Sequence, residues 1–298
     1  MTILADIIYD SPVKPWTLVP ILSLIIGIIS MVGVYFLVTY LKRHEKDKIL
    51  NILIFVYGIL FFGLELYHQI TRYYALGHYD WSSIPFQFCS IPIYLCLILP
   101  FIKSKKAREP FFYYLAIYCM ISGVFPLLFG QAALCRWPTV WGAIRSFIWH
   151  FLILHVSMLA LAYRPIAFNL KKTWRPMLGC IGIFIGLTII AQIINVTLHY
   201  GAGGVDFANP ANQAFKDYNS VDPLDPDQAG CFYISPYYIS VMPVFHEIYG
   251  ATTWYFNWFI YDLSFTTLAV VIYLIIFGSK QLIIYMKSKK EKKTQLNA

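Results

Sequence analysis

Seven stretches of the chain stay apolar for about twenty residues each: 20–41, 50–70, 84–102, 111–130, 141–163, 177–198 and 254–278. A helix rises about 1.5 Å per residue, so about twenty residues cross a hydrocarbon core of about 30 Å. The pattern predicts an all-α membrane protein, a polytopic bundle of seven transmembrane helices. The first, third, fourth and sixth stretches are nearly free of charge, which fits plain bilayer spans.

The polar residues between these stretches give the domain organisation. Residues 1–19 carry two aspartates and two prolines where a secretory signal would have a basic end and an apolar run, so the first helix is expected to be retained. A single transmembrane domain at 20–278 follows, with a long connection at 200–253 and a basic tail at 279–298. Of the 23 Lys and Arg residues, all but Lys14, Arg72, Arg136, Arg145 and Lys216 fall in alternate connections or the tail. Cytoplasmic loops carry that excess, so the amino terminus is expected outside and the carboxyl terminus inside. The long connection is then external. Its acidic run DPLDPD alternates with proline and reproduces no calcium-loop spacing, so it reads as a solvated cap.

Composition agrees with this pattern. Hydrophobic residues make up 59% of 298 and charged residues 13%, about half the share of a soluble domain. The net charge of +8 lies in short blocks between spans and gathers on no single face, so nucleic acid is not an expected partner. The 23 Tyr, 23 Phe and 8 Trp suit interfacial belts. Six cysteines show no CxxC or metal-ligand spacing, so no metal or soluble cofactor is expected. Cys135 and Cys231 both fall on the outer side; a disulfide between them and two buried thiols are equally open readings.

Ionisable groups inside spans are expensive and mark functional sites by default. Glu65, with His68 or Gln69 and then Arg72, shares one helical stripe. Either Arg72 or His68 simply holds the carboxylate, or Glu65 orients a catalytic base. His150 and His155 lie five apart on the fifth span, about 140° around the helix, so they cannot share a ligand. Gln192, Asn195, Asn257 and Asp262 complete the polar set. Cys89 lies about 9 Å below Ser83, within reach of phospholipid ester groups. A free cysteine is commonly a small hydrophobe, but deprotonated by a histidine it attacks an ester carbonyl and holds the acyl group as a thioester.

Short motifs add a family likeness. FFGLELYHQ, IPFQFCSIPIYL, ILHVSMLALAY, IINVTLHYG and EIYGATTWYFNW occur in an order that resembles the YwaF family of bacterial integral membrane proteins. More distantly, the order is similar to a eukaryotic group of seven-helix phospholipid acyltransferases. The resemblance implies an outward-facing bundle that moves fatty acyl groups through a Cys and His pair. It carries over to Glu65, His155, Asn195, Tyr249, Gly250, Trp254 and Tyr255. Two positions depart from it: Gln87 stands where the bacterial pattern has His, and the eukaryotic nucleophile aligns with Phe86. Phe86 and Cys89 share a helix face one turn apart.

Together these readings predict an enzyme of lipid acyl transfer or hydrolysis in a bacterial cell membrane, with membrane phospholipids as partners. Cys89 is the nucleophile and His155 or His150 the base. The likeness favours His155; depth favours His150, roughly 8 to 14 Å below the membrane edge against roughly 15 to 21 Å. Glu65 orients the base, Asn195 and Gln87 donate to an oxyanion, and Arg72, Trp254 and Tyr255 face the headgroup. The alternative is a non-enzymatic transporter, flippase or lipid-binding protein, in which Glu65, His155, Asn195 and Asp262 line a path and Cys89 only packs.

Overall fold

The computed structural model describes residues 13–44, 46–77, 79, 84–130, 134–135, 140–163, 170–201, 231–233 and 254–296. Among them every regular element is helical. The elements are α1 (Leu18–Arg43), α2 (Asp47–Leu76), α3 (Ile91–Ile98), α4 (Lys105–Phe129), α5 (Val140–Tyr163), α6 (Leu170–Gly201) and α7 (Trp254–Leu296), with single 3-10 turns at Leu99–Phe101 and Cys231–Tyr233.

Six of these helices, all except α3, are long and apolar enough to cross a membrane. The predicted third span is the exception. Residues 84–90 are not helical, and α3 covers only eight residues before its 3-10 turn. Eight residues rise about 12 Å, well short of a bilayer. The cause is local. Pro85 donates no N–H, and Pro92 is favoured in the first helical turn, so the helix starts there and does not extend back. Pro100 closes the other end within the 3-10 turn. Ahead of α3 the backbone turns on itself, with Phe86 N–H donating to Ile84 O and Ser90 N–H to Gln87 O, both at 2.8 Å.

Non-helical backbone in a membrane protein survives where protein surrounds it. Here α4 and α5 form the buried centre, while α1 and α7 keep most of their surface outward. Small residues set the close approaches. A Cβ on Gly58 of α2 would lie 3.0 Å from Cys96 Cβ and 3.0 Å from the Leu97 nitrogen, so α2 and α3 touch backbone to backbone. A Cβ on Gly123 of α4 would lie 2.6 Å from Leu154 Cδ2 on α5. Gly27 lets α1 sit directly on the Phe151 ring of α5.

At the other end of α2 and α4, Arg108 Nη2 donates to Asn51 Oδ1 at 2.6 Å. The main core runs through α2, α3, α4, α5 and α6, takes in Tyr261, Ala269 and Tyr273 of α7, Leu41 of α1, Cys231 and Phe232, and α1 also shares a smaller cluster with Phe147, Phe151 and Leu154 of α5.

Candidate functional site

The break before α3 carries the residues of interest, and each of its exposed needs is met by a different helix. Phe88 is buried and meets four rings: Phe265 of α7 at 5.0 Å, Phe184 of α6 at 5.8 Å, Phe232 at 5.9 Å and Tyr118 of α4 at 6.1 Å between centroids. The next residue turns the other way. Trp149 Nε1 of α5 donates to the Cys89 carbonyl at 3.1 Å. The Ser90 hydroxyl bonds the Cys89 sulfur. Tyr94 Oη of α3 donates to the Pro85 carbonyl at 2.7 Å. Backbone carbonyls that a helix would have satisfied are therefore bonded by side chains.

Charge reaches the same place. Glu65 of α2 lies within electrostatic range of both Cys89 and Arg145, and Arg145 of α5 within range of Cys89 and Arg72. Glu65 Oε1 accepts from Gln69 Nε2 at 2.6 Å, so the i, i+4 pair on the predicted stripe is Gln69. His68 is buried beside them on α2. Gln87 Oε1 is buried without a hydrogen-bond partner among the described residues.

The histidines are placed differently. His155 Nε2 lies 3.0 Å from Ser30 Oγ of α1, and its Nδ1 lies 3.1 Å from Tyr57 Oη of α2. Ser30 Oγ also donates to the Gly27 carbonyl at 2.6 Å. One hydroxyl proton cannot serve both, so His155 Nε2–H donates to Ser30 and Nδ1 accepts from Tyr57. Both nitrogens are thereby engaged, and His155 ties α1, α2 and α5 together instead of meeting the thiol. Ser30→Ala is expected to cost about 1 kcal/mol, read as a lower unfolding midpoint in detergent, because it leaves that N–H without its acceptor. His150 Nδ1 sits 2.7 Å from the Ser146 carbonyl, so Nδ1 carries the proton and Nε2 the lone pair.

Asn195 of α6 is also engaged. Its Oδ1 accepts from Cys231 N–H at 2.8 Å, and its Nδ2 donates to Cys231 O at 3.2 Å. The carboxamide thus clamps a buried turn in which Phe232 holds φ 57°, in the left-handed region that only a constrained environment imposes on phenylalanine. Phe232 in turn packs on Phe88 and Phe86. Asn195→Ala is expected to lower stability by about 2 kcal/mol, measured by denaturant or thermal unfolding in detergent, since both backbone groups of Cys231 lose their partner.

Cys135 and Cys231 are both buried free thiols in separate packing clusters, which settles the reading left open between them. Burial pushes both thiols up, Cys231 to about 12. The side chains of Trp254 and Tyr255, along with Tyr249 and Gly250 and most of the long connection, lie outside the described residues.

The structure thus groups Cys89 with Glu65, Arg145 and Ser90, and places His155 and Asn195 in structural ties. Trp149 and Ser146 were not singled out in the sequence. The signal for Trp149 was chemical: a tryptophan inside an apolar helix needs an acceptor for its N–H. No curated protein and no solved structure matches the chain. A family model does match, that of the TMEM164 family, over residues 13–277.

Proposed function

Since the chain belongs to the TMEM164 family and is a multi-pass membrane protein, we propose that it is a lipid acyl-transfer enzyme working at the break before α3. The matching family replaces the YwaF assignment read from the short motifs, and the bacterial placement that rested on that assignment is not carried forward. The distribution of Lys and Arg supports an external amino terminus.

The observation that carries the proposal is Cys89. It stands on non-helical backbone against α5, two residues before α3, with a carboxylate and a guanidinium in electrostatic reach. Broken helices in membrane proteins put reactive and binding groups where a continuous helix would have spent its backbone on itself. The positive, amino-terminal end of the α3 dipole favours negative charge beside the sulfur.

In the proposed reaction the Cys89 thiol gives its proton to His150 Nε2 and the sulfur attacks a phospholipid ester carbonyl. A sulfur–carbon bond forms and the ester carbon–oxygen bond breaks. The leaving lysophospholipid oxygen takes the proton from His150. A lipid hydroxyl or water then attacks the thioester, its proton passes to the thiolate through His150, and the acyl group leaves on the acceptor. His150 is assigned because it keeps its lone pair on Nε2, whereas both nitrogens of His155 are bonded. Glu65 and Arg145 supply charge that orients the headgroup and the developing ions.

The test is direct trapping. Purified protein incubated with labelled phospholipid is expected to carry label on Cys89, released by neutral hydroxylamine as a thioester is. Label that resists hydroxylamine, or that stays on a Cys89→Ala variant, counts against the mechanism.

A further inference from the structure

The turn that carries Cys89 is shaped from within its own segment. Phe86 N–H donates to Ile84 O, Ser90 N–H to Gln87 O, Ile93 N–H to Ser90 O and Tyr94 Oη to Pro85 O, at 2.7 to 3.0 Å. These bonds fold the segment but leave open where it lies against the bundle, because both ends of each belong to the same stretch of chain. The bond from Trp149 Nε1 to the Cys89 carbonyl, 3.1 Å long, comes from α5 and fixes that placement. A peptide unit is planar, so holding the carbonyl holds the whole Cys89–Ser90 unit. The Ser90 hydroxyl, at the far end of that unit, bonds the Cys89 sulfur.

Trp149 is itself held. It is buried, and Phe61 of α2 meets its ring in an edge-to-face contact, 5.1 Å between centroids. A tryptophan has only two side-chain torsions, so a ring packed on a neighbour and bonded at its N–H keeps little freedom. The same two helices bring the charges. Arg145 lies four residues before Trp149 on α5, and Glu65 four residues after Phe61 on α2, so each charge shares a helix face with one ring of the pair. Both Glu65 and Arg145 are in electrostatic range of Cys89. Tying the Cys89 carbonyl to Trp149 therefore keeps the residue within one helical turn of Arg145.

A buried indole N–H needs an acceptor, and any backbone carbonyl would satisfy it. Here the acceptor belongs to the residue that bears the thiol, on backbone that is not helical. We propose that Trp149 is a positioning residue: its indole N–H pins the turn so that the Cys89 thiol stays at the amino-terminal end of α3, beside Arg145 and Glu65. Trp149 acts through Cys89 and takes no part in bond making. Its effect on turnover rests on the thioester chemistry proposed above, whereas its effect on the thiol itself needs no lipid substrate. Misplacing a reacting atom by about 1 Å costs up to about a hundredfold in rate.

The experiment removes the N–H and keeps the ring. In the full chain in nanodiscs, Trp149→benzothienylalanine preserves the bicyclic shape with sulfur in place of the N–H, Trp149→5-fluorotryptophan preserves the N–H, and Trp149→Phe is a simpler companion. Two rates are followed at fixed pH: alkylation of Cys89 by N-ethylmaleimide, read on the Cys89 peptide by mass spectrometry, and radiolabelled acyl exchange at varied lipid content. Without the N–H, alkylation is expected to slow about fivefold and kcat for exchange to fall about thirtyfold, with KM unchanged. With 5-fluorotryptophan both rates are expected within about twofold of the unmodified protein. If Trp149→Phe does not fold, the benzothienylalanine protein, which keeps the packing on Phe61, decides the matter. Alkylation that is unchanged or faster without the N–H overturns the proposal. So does a fall in rate that 5-fluorotryptophan shares, which would assign the effect to ring packing, or a loss confined to KM. Slower alkylation in a protein whose unmodified form exchanges no acyl groups would uphold the placement of the thiol and remove the thioester reading instead.

Discussion

Replacing Cys89 with alanine is expected to lower acyl transfer by about a thousandfold or more while the protein still folds. The size follows from the role. A nucleophile that carries the acyl group divides one difficult displacement into two easier ones, and its removal forces a direct attack of acceptor on ester. Folding should survive because the side chain is small and the local geometry rests on the backbone. Trp149 Nε1 bonds the Cys89 carbonyl, which alanine retains. Cys89→Ser separates shape from chemistry further: it preserves size and polarity but offers a hydroxyl, a much weaker nucleophile at neutral pH. Radiolabelled acyl exchange between phospholipids in membranes is the measurement. Exchange at the unmodified rate in Cys89→Ala would remove the sulfur from the mechanism.

The largest loss of stability is expected one residue earlier. Phe88→Ala should cost about 4 kcal/mol, in the range for deleting a buried phenylalanine. Its ring meets Phe265, Phe184, Phe232 and Tyr118, which come from α7, α6, the Cys231–Tyr233 turn and α4. Apolar surface is cheap in lipid, so association inside a bundle depends on such contacts being filled. The hole left by alanine is enclosed by those rings and out of reach of acyl chains. Phe88→Leu is expected to recover about half of the loss. Unfolding in mixed detergent measures both, and a cost under about 1 kcal/mol for alanine would show that the turn and the three helices close over the gap.

The spans were legible because length and apolarity alone define them, and six of the seven predicted stretches coincide with long helices. The stretch 84–102 misled because hydropathy ignores backbone continuity. Its apolar residues are as frequent as in any span, but Pro85 and Pro92 bracket Gln87, Cys89 and Ser90, and that punctuation stops the helix. A proline-interrupted apolar segment is also the pattern that points to a site within a membrane protein.

At the candidate site, nearness of Glu65 and Gln69 was readable from their spacing of four, since it depends on one helix only. The partners of His155 and Asn195 were not, because they come from α1, α2 and the Cys231–Tyr233 turn, far away in sequence. Periodicity tells which residues share a face and leaves open what that face meets.

The attachment of α1 has a bearing on biogenesis. Two of its residues make close ties to α5: Gly27 lies on the Phe151 ring and Ser30 accepts from His155. A helix so little enclosed gains its place in the lipid from its own apolarity, before any neighbour is present. It can therefore be inserted first during synthesis and wait, undocked, until α5 emerges with both receptors, Phe151 and His155, one turn apart.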